Sequence, residues 1–168
     1  MDRPTDKQSR HAALVRRCRS GKQCARLINT GDRDYPSPWS RLAGSLDAKV
    51  VIVGQDFSAQ DRTRGPNLTP DPAIPTNRNL QLLLKTAQLD LDTVYLTNAI
   101  LCLKPGKQLN SATQAAWFHA CRPLLRETID IVAPRAVIAL GVRAWDSVQR
   151  VFGLTRTALR SAVDAVPR

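Results

Sequence analysis

The sequence predicts an α/β fold, with a central parallel sheet held between helices in three layers. Two observations predict it. Three short runs rich in β-branched residues alternate with longer helical stretches, and that alternation indicates parallel strands joined by helical crossovers. The runs are "KVVIVG" (Lys49–Gly54), "TVYLTNAI" (Thr93–Ile100) and "RAVIALG" (Arg135–Gly141). The first and third are nearly unbroken in apolar residues, as strands covered on both faces are.

The elements follow in order. Residues 1–10 are polar and are expected to fray. "AALVRRCRSGKQCARLI" reads as part helix, interrupted near Ser20 and Gly21. "SPWSRLAGSL" opens with a helix-start signal and predicts a short helix. After the first strand, "TNRNLQLLLKTAQ" predicts a helix with Thr76 as its N-cap. After the second, "NSATQAAWFHACRPLLRETIDIV" predicts a long helical region, broken or bent at Pro123. After the third, "VRAWDSVQRVFG" is amphipathic and stops at Gly153, and "RTALRSAV" is a last helix. No repeat, low-complexity block or linker divides the chain, so residues 1–168 read as one domain.

The 168 residues are 43% apolar and 23% charged, the balance of a soluble globular domain rather than a disordered chain. Against 14 acidic residues stand 25 basic ones, a formal charge of +11. That excess favours a polyanionic partner, nucleic acid first, over a merely basic surface. No apolar run approaches the ~20 residues that span a bilayer, and "MDRPTDKQSRHAALVRR" lacks the apolar core of a signal peptide. The expected compartment is the cytoplasm. There, Cys18, Cys24, Cys102 and Cys121 read as free, catalytic or metal-bound rather than paired in disulfides.

In open parallel sheets the functional loops gather at the carboxyl ends of the strands. The first strand ends in "GQDFS". Gly54 there lets the backbone turn sharply or approach a ligand closely. Asp56 follows at the mouth of the sheet, where a carboxylate stabilises a developing cation or positions water, and Phe57 can stack on a planar base. Taken alone, the pentapeptide equally suits a helix-capping Asp and a core Phe. Asn98 lies within the second apolar run. Its amide, with two donors and an acceptor, suits the edge of a base such as uracil, or equally the tying of a neighbouring loop.

Together these segments resemble the uracil-DNA glycosylase superfamily. "GQDFS" looks like the motif carrying the catalytic acid, which reads Gly-Gln-Asp-Pro-Tyr-His in one branch. "PTNRNLQLLL" is similar to its Pro-Ser-Leu-x-Asn-Ile segment, and "LTNAI" resembles the strand whose Asn reads uracil. The placement of Cys102 and Cys121, with "IDIVAPRAVIALG", looks instead like the iron–sulfur branch. The likeness runs from about Cys18 to Phe152.

The resemblance implies a DNA glycosylase of base-excision repair that removes uracil or another deaminated base, hypoxanthine and xanthine included. Asp56 would be the catalytic acid, with Gly54, Gln55, Phe57 and Asn98 around the base. The iron–sulfur branch commonly has Glu one position earlier, where this chain has Gln55. The position of the other branch's stacking Phe corresponds to Gln81. Arg62, Arg64, Arg78, Lys104 and Lys107 would meet phosphates, giving salt-sensitive affinity.

The resemblance also implies a [4Fe–4S] cluster on Cys18, Cys24, Cys102 and Cys121. Five residues separate the first pair, against two in the family pattern. Zinc and metal-free buried thiols remain the other readings. The family's closing His-Pro-Ser motif and its fourth strand are not found, and the chain's histidines are His11 and His119. The chain therefore reads either as a shortened version of a longer protein or as a naturally trimmed member with weak or lost activity, and a uracil- or damaged-DNA-binding protein without turnover is the alternative function. A monomer is the family expectation.

Overall fold

The computed structural model describes residues 6–19, 44–56, 75–90, 93–101 and 111–164. The sequence-predicted helix over 37–46 falls outside them apart from its last three residues.

Among the described residues three strands form one sheet: β1 (Val50–Gly54), β2 (Val94–Asn98) and β3 (Ala136–Ala139). Their order is β2-β1-β3 and both pairings are parallel. Val50 lies opposite Val94 and Ala136, and the β1–β2 ladder ends with Gly54 opposite Asn98. The helices are α1 (Asp6–Arg19), α2 (Pro75–Thr86), α3 (Ser111–Val132), α4 (Val142–Phe152) and α5 (Leu159–Asp164).

Side chains alternate across a strand, so the sheet sorts its residues by face. Val51, Val53 and Tyr95 point to one side. They form a core with Leu125, Ile129 and Val132 of α3 and Ala144, Val148 and Val151 of α4. Ile52 and Val94 point to the other side and pack with Leu84 of α2. The connection β1-α2-β2 moves one way from the central strand, and β2-α3-β3 returns across it. Right-handed crossovers of opposite direction put their helices on opposite faces. The result is the three-layer α/β/α arrangement the sequence predicts.

The structure departs from the expected elements in four places. Residues 6–10 belong to α1 rather than to a frayed end. Lys7 supplies the reason: its Nζ donates to Leu46 O at 3.1 Å and Val132 O at 3.0 Å and meets Asp47 Oδ1 at 3.1 Å. Helix α2 begins at Pro75, which has no N–H to lose at a first helical position, so Thr76 lies inside the first turn and is not the N-cap. Helix α3 runs unbroken through Pro123, its core contacts on either side outweighing the missing hydrogen bond. Strand β3 is not covered on both faces: Ile138 is 41% exposed. Like β2 it is an edge strand of the described sheet, but Leu84 of α2 packs on Ile52 of β1 and Val94 of β2 rather than over β3. Gly153 ends α4 as expected, with φ 65° and a backbone N–H returned to Arg150 O.

Helix α1 lies antiparallel along α3. It contributes Leu14, Val15 and Cys18 to a second buried cluster with Trp117, Cys121 and Leu124 of α3 and with Ile100 and Leu101 beyond β2. Arg17 pairs with Glu127 across the same helix interface. Beyond α4, Arg156 reaches Asp146 at 2.9 Å and Trp145 Nε1 donates to Thr157 O at 2.9 Å. Burial works to raise the Asp146 pKa, but the hydrogen bonds and charges of Arg150 and Arg156 together hold it below the ordinary value. Among the described residues no helix is long and apolar enough to cross a membrane.

Candidate functional site

The central strand decides where a ligand can sit. After β1 the chain leaves toward α2 on one face, and after β3 it leaves toward α4 on the other. The carboxyl ends of β1 and β3 therefore form a topological switch point, the place at which open α/β sheets bind their ligands. Asp56 follows β1 there by two residues. Gly141 begins α4 on the other lip, with φ 90° and no side-chain cap on the helix.

Two backbone bonds hold the β1 end in place. Ala99 N donates to Gly54 O at 2.8 Å and Ile100 N donates to Gln55 O at 2.9 Å. They extend the β1–β2 ladder past the last paired residues, so Gln55 is fixed as firmly as the strand. Leu140 N donates to Val53 O at 2.8 Å and does the same on the β3 side. Asp56 is half-buried, and its Oδ2 accepts from Gln55 Nε2 at 2.9 Å. This places an acceptor-rich carboxylate at the rim, oriented by its neighbour's amide and still open to solvent on one side.

Asn98 is half-buried at the end of β2, on the α2 face of the sheet. Its amide oxygen lies so near Gly54 that a Cβ there would come within 2.4 Å of it. Thr97, the preceding residue, points into the other face. Its hydroxyl is buried and has no hydrogen-bond partner among the described residues.

The remaining sequence-predicted residues divide clearly. Arg78 is exposed in the first turn of α2. A crossover helix runs opposite to the strands it joins, so this turn lies toward the carboxyl end of the sheet, with Asp56 and Asn98. Phe57, Arg62, Arg64, Lys104 and Lys107 lie outside the described residues. So do Cys24 and Cys102. Cys18 and Cys121 are both buried, on α1 and α3, in the one apolar cluster that also holds Leu101. No group of three or more metal-ligating side chains occurs among the described residues. Two buried thiols in one dry cluster, with Leu101 leading directly into Cys102, are a donor set that fits soft thiolate chemistry.

Two features escaped the sequence reading. One is the interlock of Gly54 and Asn98, which depends on strand register. The other is a cavity of about 360 Å³ between α4 and residues 156–159, lined by Val142, Trp145, Asp146, Gln149 and Arg156 among others. It contains none of the predicted site residues. Neither histidine reaches the switch point: His11 Nε2 meets Tyr95 OH at 2.9 Å beneath the sheet, and His119 is exposed on α3.

Comparison with known proteins agrees with this geometry. A model of the uracil DNA glycosylase superfamily matches residues 43–166, which takes in all three strands, Asp56 and Asn98. A type-5 uracil-DNA glycosylase of Pyrobaculum aerophilum is 29% identical over 168 aligned positions, covering 88% of this chain and 73% of the relative. A type-4 uracil-DNA glycosylase of Thermotoga maritima is 28% identical over 102 positions, covering 60% of this chain and 49% of the relative. With the sheet order, the acid after β1 and the Asn closing β2 already in place, the match over most of its length shows that the chain belongs to the uracil-DNA glycosylase superfamily.

Proposed function

We propose that the protein is a DNA glycosylase that removes uracil, or a related deaminated base, from DNA. The observation that carries the reading is the pairing of β1 and β2 at their carboxyl ends. It sets Asn98 beside Gly54, two residues from Asp56. One site thus offers an amide for a base edge and a carboxylate for the sugar.

The base must leave the stack for its glycosidic bond to be reached. As that bond breaks, positive charge develops on the sugar and negative charge on the departing base. The Asp56 carboxylate stabilises the cation and orients the attacking water, whose proton it is placed to accept. Asn98 holds the base edge with its amide, and backbone N–H groups around Gln55–Phe57 serve a base carbonyl. Arg78 and the chain's excess positive charge favour the phosphates on either side.

Cys18 and Cys121, with Cys24 and Cys102, would hold a [4Fe–4S] cluster. Bound there, the group supplies a structural brace between α1, α3 and the segment after β2. Iron and sulfide content of anaerobically purified protein tests this, and zinc in the same preparation would replace it with a Cys₄ zinc site.

A second reading is a damaged-DNA-binding protein without turnover. It is favoured by the placement of His11 against Tyr95 and of His119 on the exposed face of α3, away from Asp56 and Asn98. Oligonucleotides carrying uracil, hypoxanthine or xanthine, single- and double-stranded, separate the two. Abasic sites formed on any of them support the glycosylase. Selective retention without base release supports the binder.

A further inference from the structure

We infer that Gly54 is a positioning residue for Asn98: the absent side chain at position 54 lets the Asn98 amide lie across the end of the central strand. The inference rests on the reading of Asn98 as the base-edge contact.

The backbone does not require a glycine here. Positive φ occurs at Gly44, Gly141 and Gly153, and Gly54 is not among them. Its conformation is that of a β-strand, which any residue adopts. What it lacks is room. Val50 and Ile52 alternate toward the α2 face, and a side chain at 54 would continue that row. Asn98, the register partner, occupies the place instead: a Cβ on Gly54 would stand 2.4 Å from Asn98 Oδ1 and 3.6 Å from Cγ. The nearest backbone atom, Thr97 O, is 3.7 Å away, an ordinary contact.

The conflict is therefore with the tip of one side chain and not with the sheet. Alanine at 54 turns the amide away and leaves the strands paired. Its effect falls on where the amide points, hence on recognition, and hardly on folding.

Four proteins test this: the wild type, Gly54→Ala, Asn98→Ala and the double variant. The first readout is the Asn98 side-chain amide resonance pair, identified by its loss in Asn98→Ala. The second is the preference for uracil-containing over uracil-free DNA, measured with a 2′-fluorinated deoxyuridine whose glycosidic bond resists cleavage. Gly54→Ala is expected to shift the amide pair and to lower the preference about tenfold, the scale of one well-placed base-edge contact. In the Asn98→Ala background it is expected to lower the preference no further. Its unfolding midpoint stays within a few degrees of wild type. Unmoved resonances, or an equal loss in both backgrounds, overturn the inference. If Asn98→Ala alone keeps the full preference, the base-edge reading of Asn98 fails, and the resonance shift still decides the role of Gly54.

Discussion

His11 Nε2 lies 2.9 Å from Tyr95 OH, with the two rings edge to face, and so ties α1 to the strand that ends in Asn98. Helix α1 precedes the residues matched by the family model, yet it is fastened to the same core. Burial lowers the His11 pKa below its ordinary 6.5 and raises that of Tyr95, so the contact is between neutral groups near pH 7.

This contact sets a pH dependence of stability. The unfolded chain takes up a proton at His11 near pH 6.5, while the folded chain resists it. Stability from this group is complete above about pH 6.5 and falls as pH drops toward the folded pKa, because the unfolded state then binds more protons. Urea titrations at pH 7.5 and 5.5 should show the loss, and His11→Gln should reduce the difference between them.

Lys7 fastens the first turn of α1, one turn before His11. Its ammonium group meets Val132 O, the last carbonyl of α3, together with Leu46 O and Asp47. A cation at a helix C-terminus is favourable, and hydrogen bonds from charged donors are each worth about 1.5–3 kcal/mol. With this head group partly exposed, Lys7→Met should cost about 1–2 kcal/mol. Thermal unfolding should show a midpoint lower by several degrees, with the amides of residues 9–12, the first that α1 hydrogen bonds protect, losing exchange protection first.

Thr97 carries a buried hydroxyl without a hydrogen-bond partner among the described residues. Leaving such a group unsatisfied costs about 1–3 kcal/mol. Thr97→Val keeps the shape and removes the orphan, so it should raise the unfolding midpoint. A fall would show that the hydroxyl serves an ordered water or a bound molecule.

Strand β3 presents an outer edge with no strand partner among the described residues, and Ile138 is exposed on it. Such edges template association. Ile138→Lys should reduce light scattering of concentrated protein while changing the urea midpoint little.

Much of the fold was legible because its signals are local. The three strands stand where their β-branched runs place them, and α4 ends at Gly153 because the αL cap it needs is written as a glycine. The three-layer order followed from strand–helix alternation. What escaped depends on distance. Lys7 reads as one more polar residue near a terminus until Val132 O, 125 positions away, comes within 3.0 Å. Strand β3 looks like the buried strands because composition does not say which strands α2 will cover. Asp56 and Asn98 could be named from their motifs. That Asn98 rests against Gly54 could not, since a one-residue change in register would separate them.

The central claim is that Asp56 carries the chemistry of base release. Single-turnover formation of abasic sites in uracil-containing DNA, by the wild type beside Asp56→Asn, tests it most directly. Release by the wild type, with the variant slower by about a hundredfold or more, is the expected result. Equal rates from the two proteins, or no release by the wild type from any deaminated base, would contradict it.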